Sequence, residues 1–242
     1  VPDRRRHRGA HPEDRELFSP ARQPQLRAAV ADLAWLLTRG YAGTAALALV
    51  GDRHRLDARQ RLAVRRATCS DPQRADRARR RLAPAEVRGR PLWVDGFNVL
   101  ITIEAALAGG ILLRCRDGCL RDMASLHGSY RTVDETDPAA RALLETLARL
   151  APASCRILLD RPVSNSGRLR AALDRSHDER SVELLDDVDA VLRAAPAGTV
   201  VATADAGILD RCAAWLDLAS LAVARGAPDA AEVPLDPPDA GA

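Results

Sequence analysis

Lysine is missing from this chain, and every one of its 36 Lys-plus-Arg positions is arginine. Because alanine is abundant too, part of the arginine content is explicable by composition alone, without a polyanionic partner. Aromatics are almost as scarce: three Trp, two Tyr and two Phe in 242 residues. That is too few for the stacking platforms on which sequence-tolerant single-strand binders rest their bases. No run of about 18 apolar residues occurs, so a membrane-spanning helix is not expected. The stretch "VPDRRRHRGAHPEDRELF" has no apolar centre of the kind a secretory signal needs. The five cysteines, Cys69, Cys115, Cys119, Cys155 and Cys212, are odd in number and scattered, which fits free thiols in a reducing cytoplasm. Cys115 and Cys119 could share a helix face, but no second pair completes a zinc site. Neither a G-x-S-x-G elbow nor a Ser, His and Asp triad is evident, so no protein nucleophile announces itself.

What the chain does have is a division of charge. Residues 1–90 carry 21 Arg against 10 acids, a net of +11, and residues 91–242 carry 15 Arg against 23 acids, a net of −8. A basic front half suits a nucleic acid, whose condensed counterions are released when arginines replace them. A merely solvated basic surface is the alternative.

The front half reads as helices. In "PQLRAAVADLAWLLTRGY", Leu26, Val30, Leu33 and Leu37 recur on one helix face and Gly40 supplies a left-handed stop. "LDARQRLAVRRATCSDP" has Asp57 as N-cap and is closed by Asp71 and Pro72, with arginines at 59, 61, 65 and 66 spread around it. "QRADRARRRLAP" is nearly all charged, and "AEVRGR" reads as a linker. From residue 91 short apolar strands alternate with helices: 92–95, 156–160, 181–185, 199–203 and a further candidate at 218–223. A helix over 138–150 has Asp137 as cap and Pro138 at its first position. Such alternation implies a mostly parallel sheet covered on both faces. The tail "APDAAEVPLDPPDAGA" has no periodicity and is expected to be disordered.

The strands run into acids. Asp95 and Asp160 end two of them, "DDVDAVL" follows a third, and Asp205 and Asp210 follow a fourth. In a parallel sheet these ends share one edge, where ligands bind at the reversal of strand order. Converging carboxylates repel, and a hard divalent cation is the ordinary remedy. Helix capping is the alternative, favoured for Asp186 or Asp187.

"VDGFNVL", with the later "DDVDAVL" and "VVATADAGILD", resembles the PIN-like and NYN-type nuclease superfamily. "RGAHPEDRELF", "LLTRGY", "RQRLAVRR", "DGFNVLITIEAAL", "HGSYR" and "LDRPVSNSGRL" are similar to an uncharacterised family, domain of unknown function 434, over nearly the whole chain. The resemblance implies an α/β protein. Residues 89–226 would form a PIN-like (Rossmann-like) three-layer domain, preceded by a smaller, mainly helical, Arg-rich domain over 1–88 and followed by a tail over 227–242. It implies Mg²⁺ or Mn²⁺ held by Asp95, Asp189, Asp205 and Asp210, with Asn98 orienting water or phosphate. The chemistry implied is metal-assisted hydrolysis of RNA phosphodiesters. Asp189 stands where many members have Glu, and a long insert runs from about 102 to 154.

Two further clusters are candidates for gripping RNA. "LDRPVSNSGRL" presents Arg161, Ser164, Asn165 and Ser166 at a helix start, either an anion site or a capped turn. The insert offers Asp117, Arg121, Asp122, His127, Tyr130 and Arg131, either a lid over the site or a salt-bridged surface. The expectation is a cytoplasmic ribonuclease with RNA as partner, no membrane and room for a homodimer; the competing reading is a non-catalytic RNA-binding or RNP-assembly protein.

Overall fold

The computed structural model of the chain describes residue 8 and residues 11–124, 130–174 and 180–236. His127 lies outside the described residues. The front half is helical: α1 (Asp14–Leu17), α2 (Gln23–Thr38), α3 (Gly43–Arg53), α4 (Ala58–Ala67) and α5 (Asp71–Arg80). The stop after α2 is as expected, with Gly40 at φ +81° donating its N–H to the Leu37 carbonyl. Asp57 and Gln60 form a capping box on α4. Asp71 and Pro72 do not close α4 but open α5, whose N-cap Ser70 accepts from the Gln73 amide.

The chain then enters β1 (Pro91–Asp95), turns at once into α6 (Gly96–Leu107), and forms a hairpin of β2 (Leu112–Arg114) and β3 (Leu120–Asp122). It continues through α7 (Thr136–Leu150), β4 (Ser154–Asp160), α8 (Ser166–Leu173), β5 (Arg180–Leu185), α9 (Val188–Arg193) and β6 (Val200–Ala202). Last come α10 (Ala206–Leu209), β7 (Trp215–Leu216), α11 (Leu218–Gly226) and β8 (Glu232–Pro234).

Five strands form one parallel sheet in the order β5-β4-β1-β6-β7, with β1 at its centre. Strict alternation covers both faces. Leu92 and Val94 of β1, Ile157 and Leu159 of β4, and Val200 and Ala202 of β6 face a core built with α6, α7 and α11. Trp93, Leu158 and Val201 face the other, built with α9 and α10. Both layers being apolar explains why the strands read as nearly continuous hydrophobic runs.

Three expectations are corrected. Residues 218–223 are helix, not strand, because Asp217 caps them by accepting from the Ser220 amide at 3.0 Å. The helix expected at 138–150 begins two residues earlier, at Thr136. The tail is ordered as far as it is described: β8 pairs in parallel with β2, and Val233 and Leu235 are buried. That burial also changes the domain picture. The front helices share one apolar core with Ile111, Leu113, Cys115, Met123, Val233 and Leu235, so their core is completed by residues of the back half.

Candidate functional site

Strand order reverses between β4 and β6 on either side of β1, and the site is built at the carboxyl ends of these three strands. Asp95 is the last residue of β1 and the N-cap of α6, its Oδ1 accepting from the Asn98 amide at 3.4 Å. The helix starts without a loop because Gly96 lets the backbone press on β4. A Cβ there would come within 2.8 Å of the Leu158 carbonyl oxygen and 2.6 Å of Leu159 Cδ2. Thr203, just past β6, donates its hydroxyl to Asp95 Oδ2 at 2.8 Å and accepts from the Asp205 amide at 3.0 Å. Asn98 Oδ1 accepts from the Ala204 amide at 2.8 Å, so it ties α6 to the end of β6 across the crevice. Asp205 in turn caps α10, its Oδ1 accepting from the Ile208 amide at 3.1 Å.

Asp95, Asn98 and Asp205 line a cleft of about 590 Å³ together with Asp160, Asp189, Thr102 and Asp122. Burial pushes the Asp95 carboxyl up to about 7; the bonds from Thr203 and Asn98 oppose that rise, and the charges of Asp189 and Asp205 add to it. Asp160 is raised by burial and by Asp189, and Asp189 by burial and then by Asp205. Asp189, on α9, is therefore within electrostatic reach of the other three, although Arg193 pairs with it at 2.7 Å. Asp187, as expected, is a cap: it accepts from the Ala190 amide at 2.9 Å.

Not every residue singled out in the sequence arrives here. Asp210, itself half-buried, is paired with the buried Arg77 at 2.6 Å and also accepts from Gln73, and it is absent from the cleft lining. Arg161, Ser164, Asn165, Ser166 and Arg131 are likewise absent from that lining. Ser164 and Asn165 donate to the Tyr130 carbonyl, Ser166 donates to the Arg161 carbonyl, and Arg161 donates to the Leu184 carbonyl and lies 3.5 Å from Asp186. The loop's side chains are thus spent on holding the insert, and Asn165 at the start of α8 makes no side-chain cap. Arg121 does line the cleft, but it is clamped by Asp117 at 2.7 and 2.9 Å and donates to the Ala204 carbonyl.

Arg65, Arg66 and Arg77 line the cleft although the sequence placed none of them at a site, and Asp122 reaches it from the insert, as the lid alternative allowed. The wall facing the sheet edge belongs to α4 and α5. Arg66 donates to the carbonyls of Asp122 and Ala124, and Arg77 joins Asp117 at 2.7 Å. Burial raises Asp122, while Thr102 at 2.8 Å and Arg66 partly stabilise its charge. The arginines spread around α4 were the available signal, since part of that helix had to be wet or paired with acids.

Among the described residues no three His, Cys, Asp or Glu side chains are gathered closely enough to form a ready-made metal cage. The donor chemistry nevertheless fits one class of ion. Asp95, Asp160, Asp189, Asp205 and Asn98 offer oxygen only, and Mg²⁺ keeps several waters while binding through one or two carboxylates. Asp95, raised chiefly by burial and further by the charges of Asp189 and Asp205, is the point at which such a charge would be compensated.

Fold and site define the class: an α/β protein with an acidic cleft at the switch point of a parallel sheet. The chain belongs to the family described as "Domain of unknown function (DUF5616)", whose model matches residues 84–221. Residues 25–80 match "Protein of unknown function (DUF434)". That second match lies on the front helices, α2 to α5. An uncharacterised protein of Methanocaldococcus jannaschii is 32% identical over 152 residues, which is 63% of this chain and 73% of that protein. No solved structure matches significantly.

Proposed function

We propose that the cleft is the active site of a PIN-like, metal-dependent ribonuclease. The observation that carries this reading is the buried Asp95 at the sheet's switch point, raised to about 7, with four further carboxylates, Asp122, Asp160, Asp189 and Asp205, lining the same cleft and a basic helical wall opposite. Asp95 and Asp205, with Asp189 or Asp160, would hold Mg²⁺ or Mn²⁺. Once bound, the ion would supply Lewis-acid stabilisation of phosphate charge and a water of lowered pKa. The chain's own residues fix the geometry. Thr203 and the Asn98 amide orient the Asp95 carboxylate, and Asn98 locks α6 against the strand that carries Asp205. The five buried free thiols suit a reducing compartment, and among the described residues no helix is long and apolar enough to cross a membrane.

The test is cleavage of mixed structured and single-stranded RNA in Mn²⁺ by wild type, Asp95→Asn and Asp205→Asn. Loss of turnover in both variants supports the reading, and equal activity in all three removes it. A second reading has an observation of its own: Asp95 and Asp205 both cap helices, a use that needs no ion. It describes a non-catalytic RNA-binding protein, for which RNA binding without turnover would survive both substitutions.

A further inference from the structure

A nucleic acid entering this cleft meets an acidic floor, so something on the opposite wall must hold it. Four arginines line the cleft: Arg65, Arg66, Arg77 and Arg121. Three are already committed. Arg66 donates at 2.6 and 2.8 Å to two carbonyls and lies 3.7 Å from the Asp122 carboxylate. Arg77 is shared between Asp117 and Asp210, and Arg121 is held by Asp117 and the Ala204 carbonyl. Arg65, in the last turn of α4, is exposed and has no hydrogen-bond or ion-pair partner among the described residues. A free guanidinium on a cleft wall is a planar donor fork suited to phosphate oxygens.

The cleft limits what can present that phosphate. Asp95 is only 7% exposed, and about 590 Å³ is the size of a small-ligand site. A duplex, whose phosphates are held on a rigid cylinder, cannot deliver one to such a floor. A single strand can bend into it.

We propose that Arg65 is a phosphate-binding residue of this cleft, gripping a single-stranded nucleic acid beside the phosphate that reaches Asp95. This rests on the ribonuclease reading for the role of the cleft, but its test does not need turnover. The competing role for Arg65 is to complement the negative end of the α4 dipole, which involves no nucleic acid.

The experiment is a salt titration of binding to a short 5′-labelled single-stranded RNA, read by fluorescence anisotropy in EDTA. Each phosphate contact on a single strand contributes about 0.7 to the slope of log affinity against log salt. Arg65→Ala and Arg65→Gln are expected to lose about that much slope and to weaken binding about fivefold at low salt, whatever the RNA sequence. Arg65→Lys keeps most of both, and Arg149→Ala, an exposed arginine on α7, changes neither. Thermal melts confirm that each variant is folded, and the Gln variant carries the test if the Ala variant is not. The proposal is overturned if the Arg65 variants keep the wild-type slope, if Arg149→Ala loses as much, if wild type binds no RNA, or if a duplex of the same sequence competes as well as the single strand. Cleavage in Mn²⁺ is measured in parallel. An Arg65 effect without cleavage sinks the nuclease reading and leaves Arg65 standing, whereas cleavage without an Arg65 effect does the reverse.

Discussion

Asp95→Asn tests the electrostatics of the cleft without any substrate. The Asp95 carboxyl has an ordinary value of 3.8 and is raised to about 7 in the fold, chiefly by burial. A tenfold change in proton affinity corresponds to about 1.4 kcal/mol, so ionised Asp95 costs the native state about 4 kcal/mol at alkaline pH, and its burial leaves little solvent screening to discount. The sign follows from linkage. A carboxyl whose folded-state value is raised contributes fully below about pH 4, and that contribution is lost as pH rises through about 7. Asparagine removes the cost but replaces a charge-assisted bond from Thr203 and a good cap with weaker ones, a loss of about 1–2 kcal/mol. In EDTA the variant should therefore be no more stable than wild type at pH 4. At pH 8–9 it should be more stable by about 2–3 kcal/mol, or roughly 5–10 °C in Tm for a chain of this size. Thermal melts across that range give the difference between the two proteins, in which the other titrating carboxyls cancel. Added Mn²⁺ should reverse the alkaline ordering, since at about a thousand times Kd a bound ion stabilises wild type by about 4.1 kcal/mol. A variant-minus-wild-type Tm that is flat or falls with pH would refute the argument that burial dominates at Asp95.

Three other changes probe what holds the cleft together. Asp117→Ala leaves Arg77 and Arg121 buried without their shared carboxylate, held well below the usual range despite its burial; urea denaturation should show a loss of about 3–5 kcal/mol, and a loss under about 1 kcal/mol would deny the clasp its role. Gly96→Ala drives a methyl group into the Leu158 carbonyl and should cost about 1–3 kcal/mol, read as a lowered Tm; an unchanged Tm would mean that β4 yields freely. Tyr130→Phe removes one of three donors to the fully buried Glu104, the others being Thr136 at 2.6 Å and Arg8 at 2.8 Å. It should cost about 1–3 kcal/mol, and a neutral result in chemical denaturation would show that the other two suffice.

The parallel sheet was legible because strands covered on both faces are apolar at most positions, and the acids at their ends marked the edge. The misreading of 218–223 came from the same signal, since a short apolar run does not reveal its period; Asp217 and Ser220, which settle it as a helix, are ordinary residues in sequence. Helix α3 is not legible in the sequence because "GTAALALVGDR" offers neither a side-chain cap nor a clear apolar stripe. The resemblance sets Asp210 beside Asp205, yet five residues at about 100° each place it well round the helix from the cleft, where it pairs with Arg77. The loop at 161–166 looked like an anion site because its acceptor, the Tyr130 carbonyl, lies about 35 residues away. Residues of α4 reach the cleft only because the front helices share a core with the insert and tail, a long-range fact that local patterning does not carry.

Cap and ligand, opposed as readings of these acids in the sequence, turn out to be compatible uses of one carboxylate. In the back half four helices, α6, α9, α10 and α11, begin on an aspartate whose oxygen accepts from a backbone amide near the helix start. A carboxylate has about four lone-pair sites, and the cap uses one. At Asp205 the cap occupies Oδ1 and leaves Oδ2 without a hydrogen-bond partner among the described residues. The cap also holds the side chain in one orientation, which is what a ligand of a hard cation needs before the cation arrives. Asp217 shows the other outcome: buried at the start of α11, it is closed in by the Leu120 amide, Arg81 and Arg114, and it is not part of the cleft lining. What distinguishes Asp95 and Asp205 from an ordinary cap is therefore company. They are the pair whose helices start on adjacent strands at the switch point, where Thr203 and Asn98 stitch the two strand ends together.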